Sequence, residues 1–344
     1  MALLDVKNLS VRFETHHGIV RAVDSVGFSV EEGETLGLVG ESGSGKSVTN
    51  LALLGLVPSP PGVTTADHIL FEGQDLLKLT EKQQRKIRGN SISMIFQDPM
   101  TSLNPLLPIE RQLTEVLCLH KRMSRREARK KAIAGLDDVG IPSPDKRIDQ
   151  YPHELSGGMR QRVMIAMGLL CEPRLLLADE PTTALDVTIQ AQVLELMKDL
   201  QDRHGTAIIL VTHDLGVVAG MSHKINVMYG GCLVETAGTP DLFKQPLHPY
   251  TTGLLGSIPT LHSTPGEDLV SIPGSPPDLA DMPPGCAFEP RCNRRTERCA
   301  DQQPFAQTMT SPDDGRTRTS ACFELANMIV STKPPSGGSE PAQL

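Results

Sequence analysis

At 344 residues the chain is long enough for two or three domains with a sizeable core. Its net charge of −8 argues against nucleic acid as the partner, because nucleic-acid-binding proteins usually carry a basic surface. The aliphatic runs, such as residues 175–177 and 208–211, are too short to cross a bilayer, and the first residues lack the pattern of a secretory signal. We therefore expect a protein of the cytosol that reaches a membrane only by docking onto a membrane partner.

The first thirty residues alternate apolar and polar side chains as antiparallel strands do, over residues 4–9, 11–13, 20–23 and 26–30. A turn at Gly33 then leads to an apolar run at residues 35–39, which predicts a buried strand. Residues 47–57 have the apolar density of a helix packed on a sheet, and the prolines from Pro58 onward end it.

A glycine-rich loop, Gly40–Ser47, joins this strand to this helix and matches the phosphate-binding pattern of nucleotide triphosphatases. Its glycines let backbone amides turn inward to form a nest for a phosphate, and the helix start adds the positive end of its dipole. Lys46 is expected to reach the β- and γ-phosphates, and the Ser47 hydroxyl is expected to bind Mg²⁺. The predicted nucleotide-binding residues of the loop are Gly40, Ser42, Gly43, Gly45, Lys46 and Ser47.

Residues 80–170 differ in composition from the segment before them, since they contain charged helical stretches, such as 124–136, that are broken by prolines. This pattern predicts a helical insertion rather than continued sheet. A helix is predicted from residue 157 to 170, a buried strand at 175–178, an amphipathic helix at 190–200, another buried strand at 207–211, and a hairpin over residues 225–235.

Two adjacent acids, Asp179 and Glu180, end the buried strand at 175–178. Ligands bind at the carboxyl ends of strands in open α/β sheets, so Asp179 is placed to bind Mg²⁺ directly or through water. Glu180 is placed to act as the general base for an attacking water molecule. Two acids after a strand are also found in plain solvated turns, but their coupling to the phosphate-binding loop favours the nucleotide site.

Ser156, Gly157 and Gly158, here called the signature turn, start a helix about twenty residues ahead of Asp179. Taken alone, Ser156 is as readily an ordinary helix cap. Three further motifs occur in order: Phe96-Gln97-Asp98-Pro99, then Ala184-Leu185-Asp186, then Val211-Thr212-His213-Asp214. Together these motifs resemble those of the ATP-binding-cassette ATPases, and the resemblance covers about residues 3–255.

The resemblance implies an α/β fold with a core sheet of the P-loop NTPase type, an N-terminal antiparallel β subdomain, and a helical subdomain at about residues 98–170. It implies that Gln97 is the Q-loop glutamine, with a catalytic role and a place among the Mg²⁺ ligands. His213 would contact the γ-phosphate and orient water with Glu180, Asp186 would belong to the D-loop, and Phe13 would stack on adenine. The signature turn would contact ATP held by a second subunit, so that two subunits close head-to-tail over two nucleotides.

Beyond about residue 255 the composition shifts to Pro, Gly, Ser and Arg, which predicts a small loop-rich C-terminal module at 256–330 and a disordered tail at 331–344. Two segments, His248-Pro249-Tyr250-Thr251 and Gly285-Cys286-Ala287-Phe288-Glu289-Pro290-Arg291-Cys292, resemble the C-terminal extension of oligopeptide and dipeptide importer ATPases. So does the segment Phe96–Pro105, where that family faces its membrane partner.

Seven cysteines, an odd number in a reducing compartment, argue against a disulfide framework. Four of them, Cys286, Cys292, Cys299 and Cys322, fall in the predicted module and lack the paired spacing of common zinc ribbons. The residues alone leave open both reduced structural thiols and a metal centre, either Zn²⁺ or an iron–sulfur cluster. The resemblance points to a [4Fe–4S] cluster, with Zn²⁺ as the alternative. Four arginines nearby are expected to lower the thiol pKa values: Arg291, Arg294, Arg295 and Arg298.

These features lead us to expect an ATPase that uses ATP and Mg²⁺ to power uptake of di- or oligopeptides from the cytoplasmic face of the inner membrane. The expected partners are a second, related cassette ATPase, two transmembrane permease subunits and an extracytoplasmic solute-binding protein, with no nucleic acid. A homodimer of ATPases stays open. The alternatives are the same machinery for nickel, glutathione or cationic peptides, or a soluble cassette ATPase acting on nucleic acid or ribosomes. A scaffold that has lost catalysis is disfavoured by the intact Lys46, Asp179, Glu180 and His213.

Overall fold

The computed structural model describes residues 2–16, 18–98, 102–183, 185–257, 272–310 and 316–325. Its strands are β1 (Leu4–Thr15), β2 (Gly18–Val30), β3 (Thr35–Val39), β4 (Gly62–Thr65), β5 (His68–Phe71), β6 (Gln74–Asp75), β7 (Ile92–Ile95), β8 (Leu175–Asp179), β9 (Ala207–Val211), β10 (Lys224–Tyr229), β11 (Cys232–Gly238), β12 (Gln307–Thr310) and β13 (Thr317–Ser320). Its helices are α1 (Lys46–Leu53), α2 (Glu81–Ile87), α3 (Ile109–His120), α4 (Arg125–Asp138), α5 (Pro144–Arg147), α6 (Gly157–Leu169), α7 (Val187–His204), α8 (Leu215–Met221), α9 (Thr239–Lys244), α10 (Pro249–Gly256) and α11 (Glu297–Asp301). Short 3-10 turns lie at Leu76–Lys78, Pro152–Glu154 and Glu289–Arg291.

The first sheet is antiparallel and forms the predicted β subdomain. Its strand order is β2-β1-β5-β6, with β4 also paired to β1. The alternating pattern of the sequence appears in β1, where Leu4, Val6, Leu9 and Val11 are fully buried between exposed neighbours. The two short runs predicted at 20–23 and 26–30 are one continuous strand, β2.

The second sheet forms the core and has the order β12-β13-β11-β10-β3-β9-β8-β7. The strands β10, β3, β9, β8 and β7 are parallel, and β3, β8 and β9 are buried along their whole length. Such strands read as continuous apolar runs because both faces of the sheet are covered. Parallel strands bring their carboxyl ends to one edge, and the phosphate-binding loop and Asp179 both follow strands at that edge. The predicted α/β fold class is confirmed.

Helices α3 to α6 pack together on apolar side chains that include Leu113, Leu117, Ala132, Leu136 and Ile165. Ser124 starts α4 with a capping box, in which its Oγ accepts from the Glu127 N–H and the Glu127 carboxylate accepts from the Ser124 N–H at 3.0 Å. The expectation that residues 80–170 contain no sheet is wrong for Ile92–Ile95, since β7 is the edge strand beside β8. The predicted limits of the helical subdomain, about 98–170, stay a prediction.

The described part of the C-terminal module contains only short elements, in agreement with its proline content. It is nevertheless joined to the core sheet, because Glu235 and Thr236 of β11 pair with Ser320 and Thr319 of β13. An apolar cluster also crosses the junction, with Tyr229 and Tyr250 from the core and Phe288 from the module. The predicted tail, 331–344, lies outside the described residues. Within the described residues, none of the helices combines the length and the apolar character needed to span a membrane.

Candidate nucleotide-binding site

The phosphate-binding loop has a backbone that glycine alone can adopt at two points. Gly40 has a φ of 152°, and a Cβ there would lie 2.2 Å from the Met228 carbonyl oxygen. Gly45 has a φ of 104°, and a Cβ there would lie 2.3 Å from the Ala22 carbonyl oxygen. At Gly43, with a φ of 78°, a Cβ would meet no described atom within 4 Å. The loop is therefore packed tightly on the core at its two ends and open at Gly43, where a phosphate would approach its amides.

Lys46 is the first residue of α1, and only 6% of it is exposed. Its Nζ donates to the carbonyl oxygens of Gly40 and Glu41, both at 2.8 Å, so the ammonium lies on its own loop. Burial lowers the pKa of Lys46, and the negative charges of Glu180, Asp179 and Glu41 act against that shift. In this structure the buried ammonium donates to two carbonyl oxygens. A bound phosphate would give it an anionic partner instead.

Asp179 ends β8 with only 4% of its surface exposed. The Ser47 hydroxyl donates to its Oδ1 at 3.0 Å. Burial raises the pKa of Asp179, as does the charge of Glu180, whereas the Ser47 hydrogen bond lowers it. A hydroxyl and a carboxylate oxygen at this distance fit the oxygen-rich ligand set of Mg²⁺, which would also relieve the cost of burying the carboxylate. These two predicted Mg²⁺ ligands are brought together as expected.

Glu180 is held in a strained backbone conformation, with a φ of 47° in the left-handed region that non-glycine residues rarely adopt. Its N–H donates to the Val211 carbonyl oxygen at 2.8 Å, which ties it to the neighbouring strand. Its Oε2 accepts from Gln97 Nε2 at 3.0 Å, and its Oε1 lies 3.5 Å from His213 Nδ1. Three predicted catalytic residues from three separate segments therefore meet at one carboxylate, and such strain is common at functional sites.

The signature turn is exposed, in contrast to the loop. Ser156 caps α6, and its Oγ accepts from the Met159 N–H at 3.3 Å. Gly157 is open enough that a Cβ would meet no described atom within 4 Å outside its own helix. The helix behind the turn is fixed, because the fully buried Gln161 donates from Nε2 to the Pro181 carbonyl oxygen at 2.6 Å. The turn thus exposes Ser156 and Gly157 to solvent on a helix that is anchored to the residues following Glu180.

Asp186 and Phe13 lie at the edges of the predicted site. Asp186 caps α7, accepting from the Ile189 N–H at 3.1 Å, and Ala184 of the same motif lies outside the described residues. Phe13 is half-buried in β1, where a Cβ at Gly62 would lie 3.1 Å from its ring. The roles of Phe13 against adenine and of Asp186 in the D-loop stay predictions.

Several residues of the site were missed by sequence reasoning. Thr183 donates from Oγ1 to the Glu180 carboxylate at 3.1 Å, and Gln161 anchors the signature helix. Glu41, in the loop but assigned no role, pairs with Arg291 of the module. Thr183 lies three residues after Glu180, so local spacing offered a signal for it. The partners of Gln161 and Glu41 are distant in the chain, so no local pattern identified them.

The arrangement can hydrolyse a phosphoanhydride by positioning and electrostatics. ATP bound with Mg²⁺ would supply the transferable phosphoryl group and the charge that the metal neutralises. Glu180 is placed to take a proton from water, with Gln97, Thr183 and His213 holding its carboxylate in one orientation. Lys46 and the loop amides are placed to bind phosphate oxygens, and His213, whose side chain is 65% exposed, is free to meet a ligand or a partner subunit.

The four cysteines of the module lie within electrostatic reach of one another, since the pKa of Cys322 is affected by Cys292, Cys286 and Cys299. Two of the sulfurs have polar contacts: the Arg294 N–H donates to Cys292 Sγ at 3.4 Å, and Thr296 Oγ1 and Cys299 Sγ share a hydrogen bond at 3.4 Å in which either atom can donate. Donors of this kind surround thiolates that bind metal. Within the residues that the structure describes, however, no three or more His, Cys, Asp or Glu side chains are arranged to hold a metal ion.

The expectation that the neighbouring arginines lower the thiol pKa values is wrong where the structure resolves a shift. Burial raises the pKa of Cys286 and Cys292, and raises the pKa of Cys322 to about 11. Arg294 acts weakly in the expected direction on Cys292. The guanidinium of Arg291 is directed at the Glu41 carboxylate, to which it donates two hydrogen bonds.

Comparison with known proteins places the chain in a family. The ABC transporter family model matches residues 23–183, and the model of the oligopeptide/dipeptide transporter C-terminal region matches residues 234–299. The oligopeptide transport ATP-binding protein OppD of Bacillus subtilis (strain 168) is 55% identical over 302 residues, which cover 88% of this chain and 84% of that protein. OppD of Escherichia coli (strain K12) is 51% identical over 329 residues, covering 96% and 95%. The dipeptide transport ATP-binding protein DppD of Bacillus subtilis is 54% identical over 297 residues, covering 86% and 88%.

Solved structures agree with this placement. A dimeric ATP-binding cassette in a post-hydrolysis state, bound to ADP and Pi, aligns with a TM-score of 0.63 at 28% identity, covering 69% of this chain and 98% of that one. The resemblance inferred from the motifs is therefore confirmed, and with it the ATPase activity expected of the chain. The protein belongs to the ABC transporter ATPases, and among them to the ATP-binding proteins of oligopeptide/dipeptide transporters.

Proposed function

We propose that the protein hydrolyses ATP to drive uptake of di- or oligopeptides through a membrane permease. The observation that carries the proposal is the meeting of Gln97, Glu180 and His213 at one carboxylate, beside Lys46 and the Ser47–Asp179 pair. A chain that had lost catalysis would have no need to keep Glu180 in a strained conformation with these partners. Peptide as the solute is supported by the relatives, which are oligopeptide and dipeptide transport ATP-binding proteins, and by the C-terminal family match.

Within this site we assign Glu180 as general base, Lys46 as the phosphate-binding cation and His213 as the residue that contacts the γ-phosphate. Ser47, Asp179 and Gln97 are the proposed Mg²⁺ ligands. The remaining nucleotide contacts are assigned to Phe13, Gly40, Ser42, Gly43, Gly45 and Asp186. Ser156, Gly157 and Gly158 are assigned to the nucleotide of a neighbouring ATPase, because their polar groups are exposed and the helix behind them is anchored.

The assembly we propose contains a second, related cassette ATPase, two permease subunits and an extracytoplasmic solute-binding protein. The dimeric state of the matched cassette structure supports a paired arrangement of ATPases. The protein would then lie at the cytoplasmic face of the inner membrane as a peripheral subunit. We also propose that residues 1–255 form the cassette, with a helical subdomain at about 98–170, and that 256–330 form the module.

We further propose that Cys286, Cys292, Cys299 and Cys322 hold a [4Fe–4S] cluster, with Zn²⁺ as the alternative. The proposal is supported by their proximity and by the Arg294 N–H, which donates to Cys292 Sγ. Iron, sulfide and zinc analysis of protein purified without oxygen, with its visible absorption spectrum, distinguishes the two. Cys292→Ser should lose the bound metal, whereas Cys171→Ser, at a buried cysteine of the core, should retain it. Protein that contains neither metal contradicts the proposal.

The transport function is tested by purifying the chain with its membrane partners and identifying the copurified subunits. The complex in proteoliposomes should take up a labelled tripeptide when ATP is supplied on the side of the ATPases, and Glu180→Gln should stop uptake. Uptake of nickel or glutathione in place of peptide would select the alternative solute. Recovery with a nucleic-acid enzyme or a ribosome, and with no permease, would refute the transport function.

A further inference from the structure

Glu41, the second residue of the phosphate-binding loop, has all of its polar groups engaged. Its N–H donates to Tyr250 Oη at 2.8 Å, and its carbonyl oxygen accepts from Lys46 Nζ at 2.8 Å. Its carboxylate accepts two hydrogen bonds from Arg291, at 2.6 and 2.9 Å. One residue of the loop is therefore held from the nucleotide side by Lys46 and from the opposite side by Tyr250 and Arg291.

Arg291 comes from the C-terminal module, and only 5% of its side chain is exposed. Besides the two bonds to Glu41, Nε donates to the Pro273 carbonyl oxygen at 2.9 Å, Nη1 to Tyr229 Oη at 3.3 Å, and Nη2 to the Ile272 carbonyl oxygen at 3.4 Å. A guanidinium has five N–H donors, and all five are used here. A lysine could not reproduce this set, because its ammonium lacks the planar fork that binds a carboxylate through two bonds.

An aromatic platform, formed by Tyr229, Tyr250 and Phe288, keeps these groups in place. The ring centroids of Tyr229 and Tyr250 are 4.5 Å apart, and Phe288 lies 5.2 Å from the first and 5.4 Å from the second. Tyr229 ends strand β10 of the core, whereas Phe288 precedes the turn Glu289–Arg291 of the module. The position of Arg291 is therefore set by the packing of the module on the core, not by the loop that it contacts.

We propose that Arg291 is a positioning residue for the phosphate-binding loop, so that the C-terminal module tunes the affinity of the core for ATP. This role of Arg291 depends on the proposed nucleotide site, because Lys46 must leave the Glu41 carbonyl oxygen to reach a phosphate. If Arg291 is lost, a partly buried carboxylate of the phosphate-binding loop is left unpaired, and the loop loses its fixed end. Both effects weaken nucleotide binding without removing a group that acts on the reacting atoms.

The test is a double-mutant cycle between Arg291→Lys and Glu41→Gln, made in the assembled transporter complex. Equilibrium binding of Mg·ATPγS is measured together with kcat and KM for MgATP hydrolysis. We expect Arg291→Lys to raise the Kd and the KM about fivefold, with kcat changed less than twofold. The double variant should bind no more weakly than Arg291→Lys alone, since residues that act through one contact are not additive.

The matched control is Arg295→Lys in the same module. Arg295 also pairs with a glutamate, Glu289, at 3.4 Å, but its side chain is 61% exposed. This variant should leave the Kd, KM and kcat unchanged. An unchanged Kd in Arg291→Lys, or strictly additive effects in the cycle, would overturn the inference. If Arg291→Lys does not assemble, Arg291→Gln in the Glu41→Gln background is compared with Glu41→Gln alone, and a changed Kd there contradicts the predicted coupling.

Lys46→Ala distinguishes a failure of this inference from a failure of the proposed nucleotide site. That variant should lose Mg·ATPγS binding whatever the role of Arg291. Retention of wild-type affinity by Lys46→Ala would remove the site assignment itself. Loss of binding in Lys46→Ala together with an unchanged Kd in Arg291→Lys would leave the site intact and remove only the role of the module.

Discussion

The chain contains two glycine-rich segments that each lead into a helix and are each assigned to bind phosphate. They differ in how tightly they are packed and in how far they are exposed. The phosphate-binding loop is closely packed at its ends, since Lys46 is buried and a Cβ at Gly40 or Gly45 would meet the backbone of Met228 or Ala22, whereas its tip at Gly43 is open. The signature turn is open, with Ser156 and Gly157 exposed on a helix that Gln161 anchors. The comparison shows that one element is fitted to its own chain and the other is built to meet something outside it.

The largest expected effect is that of changing Glu180, which belongs to the same proposed nucleotide site as the phosphate-binding loop. Glu180→Gln removes the proposed base while the amide still accepts hydrogen bonds, so we expect turnover to fall at least about a hundredfold with nucleotide binding retained. Phosphate release and ATPγS binding measure the two quantities. Glu195→Gln, at an exposed residue of α7, serves as the control and should hydrolyse ATP normally. Unchanged turnover in Glu180→Gln would remove Glu180 as the base.

A pair of glycine variants tests the difference in packing directly. Gly40→Ala must place a Cβ against a carbonyl oxygen in a backbone region that is essentially restricted to glycine, so we expect a loss of about 3 kcal/mol in the free energy of unfolding. Gly157→Ala meets open space and should change stability by less than about 0.5 kcal/mol. Urea unfolding of both variants gives the answer. Equal losses of unfolding free energy in the two variants would contradict the difference in packing between Gly40 of the loop and Gly157 of the signature turn.

The proposed role of the signature turn is tested by comparing variants of two serines that each cap a helix. Ser156→Ala and Ser124→Ala each remove a serine that caps a helix, and each should cost about 1 kcal/mol of stability. Only Ser156→Ala should also lower ATP turnover in the assembled complex, by about tenfold, because a hydrogen bond to a charged phosphate is lost. Turnover of the two variants is compared at equal assembly. Equal turnover would make Ser156 a helix cap and nothing more.

The smallest expected effect concerns the buried carboxylate of Asp179, which belongs to the same proposed nucleotide site as the phosphate-binding loop. The pKa of Asp179 is raised in the folded protein, so its ionised form lowers stability at neutral pH and this cost disappears as the pH falls through that pKa. Asp179→Asn, which still accepts from Ser47, should therefore show a small rise in Tm without nucleotide. The rise should shrink as the pH is lowered toward 4. A lower Tm for Asp179→Asn at neutral pH would reverse the sign of this prediction.

The sequence predicted the parts of the fold that local patterns encode. The strand, loop and helix around Lys46 and the strand before Asp179 follow from apolar runs and glycine positions. The strand Ile92–Ile95 was missed because it is short and lies in a charged region. The strands β12 and β13 were missed because they are four residues long and mostly polar, so they carry no apolar alternation.

The site was predictable where a motif specifies both residue and role. Lys46, Ser47, Asp179, Glu180, Gln97 and His213 were named from the sequence, and their contacts agree with their grouping. The pairing of Arg291 with Glu41 was not predictable, since the two residues are far apart in the chain and a charge does not specify its partner. The same limit applied to the thiols, whose pKa values are decided by burial rather than by the arginines that neighbour them in sequence.

The pairing of β13 with β11 has a consequence for how the chain folds during synthesis. Until β13 is made, β11 is an uncovered edge, and an exposed edge invites pairing with other chains. Glu235 is affected by the late synthesis of β13 as well. It is buried, which raises its pKa, and Arg318 of β13 places a positive charge 3.6 Å from its carboxylate. A nascent chain that stalls before β13 therefore keeps both an open edge and a poorly compensated carboxylate. The interval between the synthesis of β11 and that of β13 is thus one in which the chain is open to aggregation.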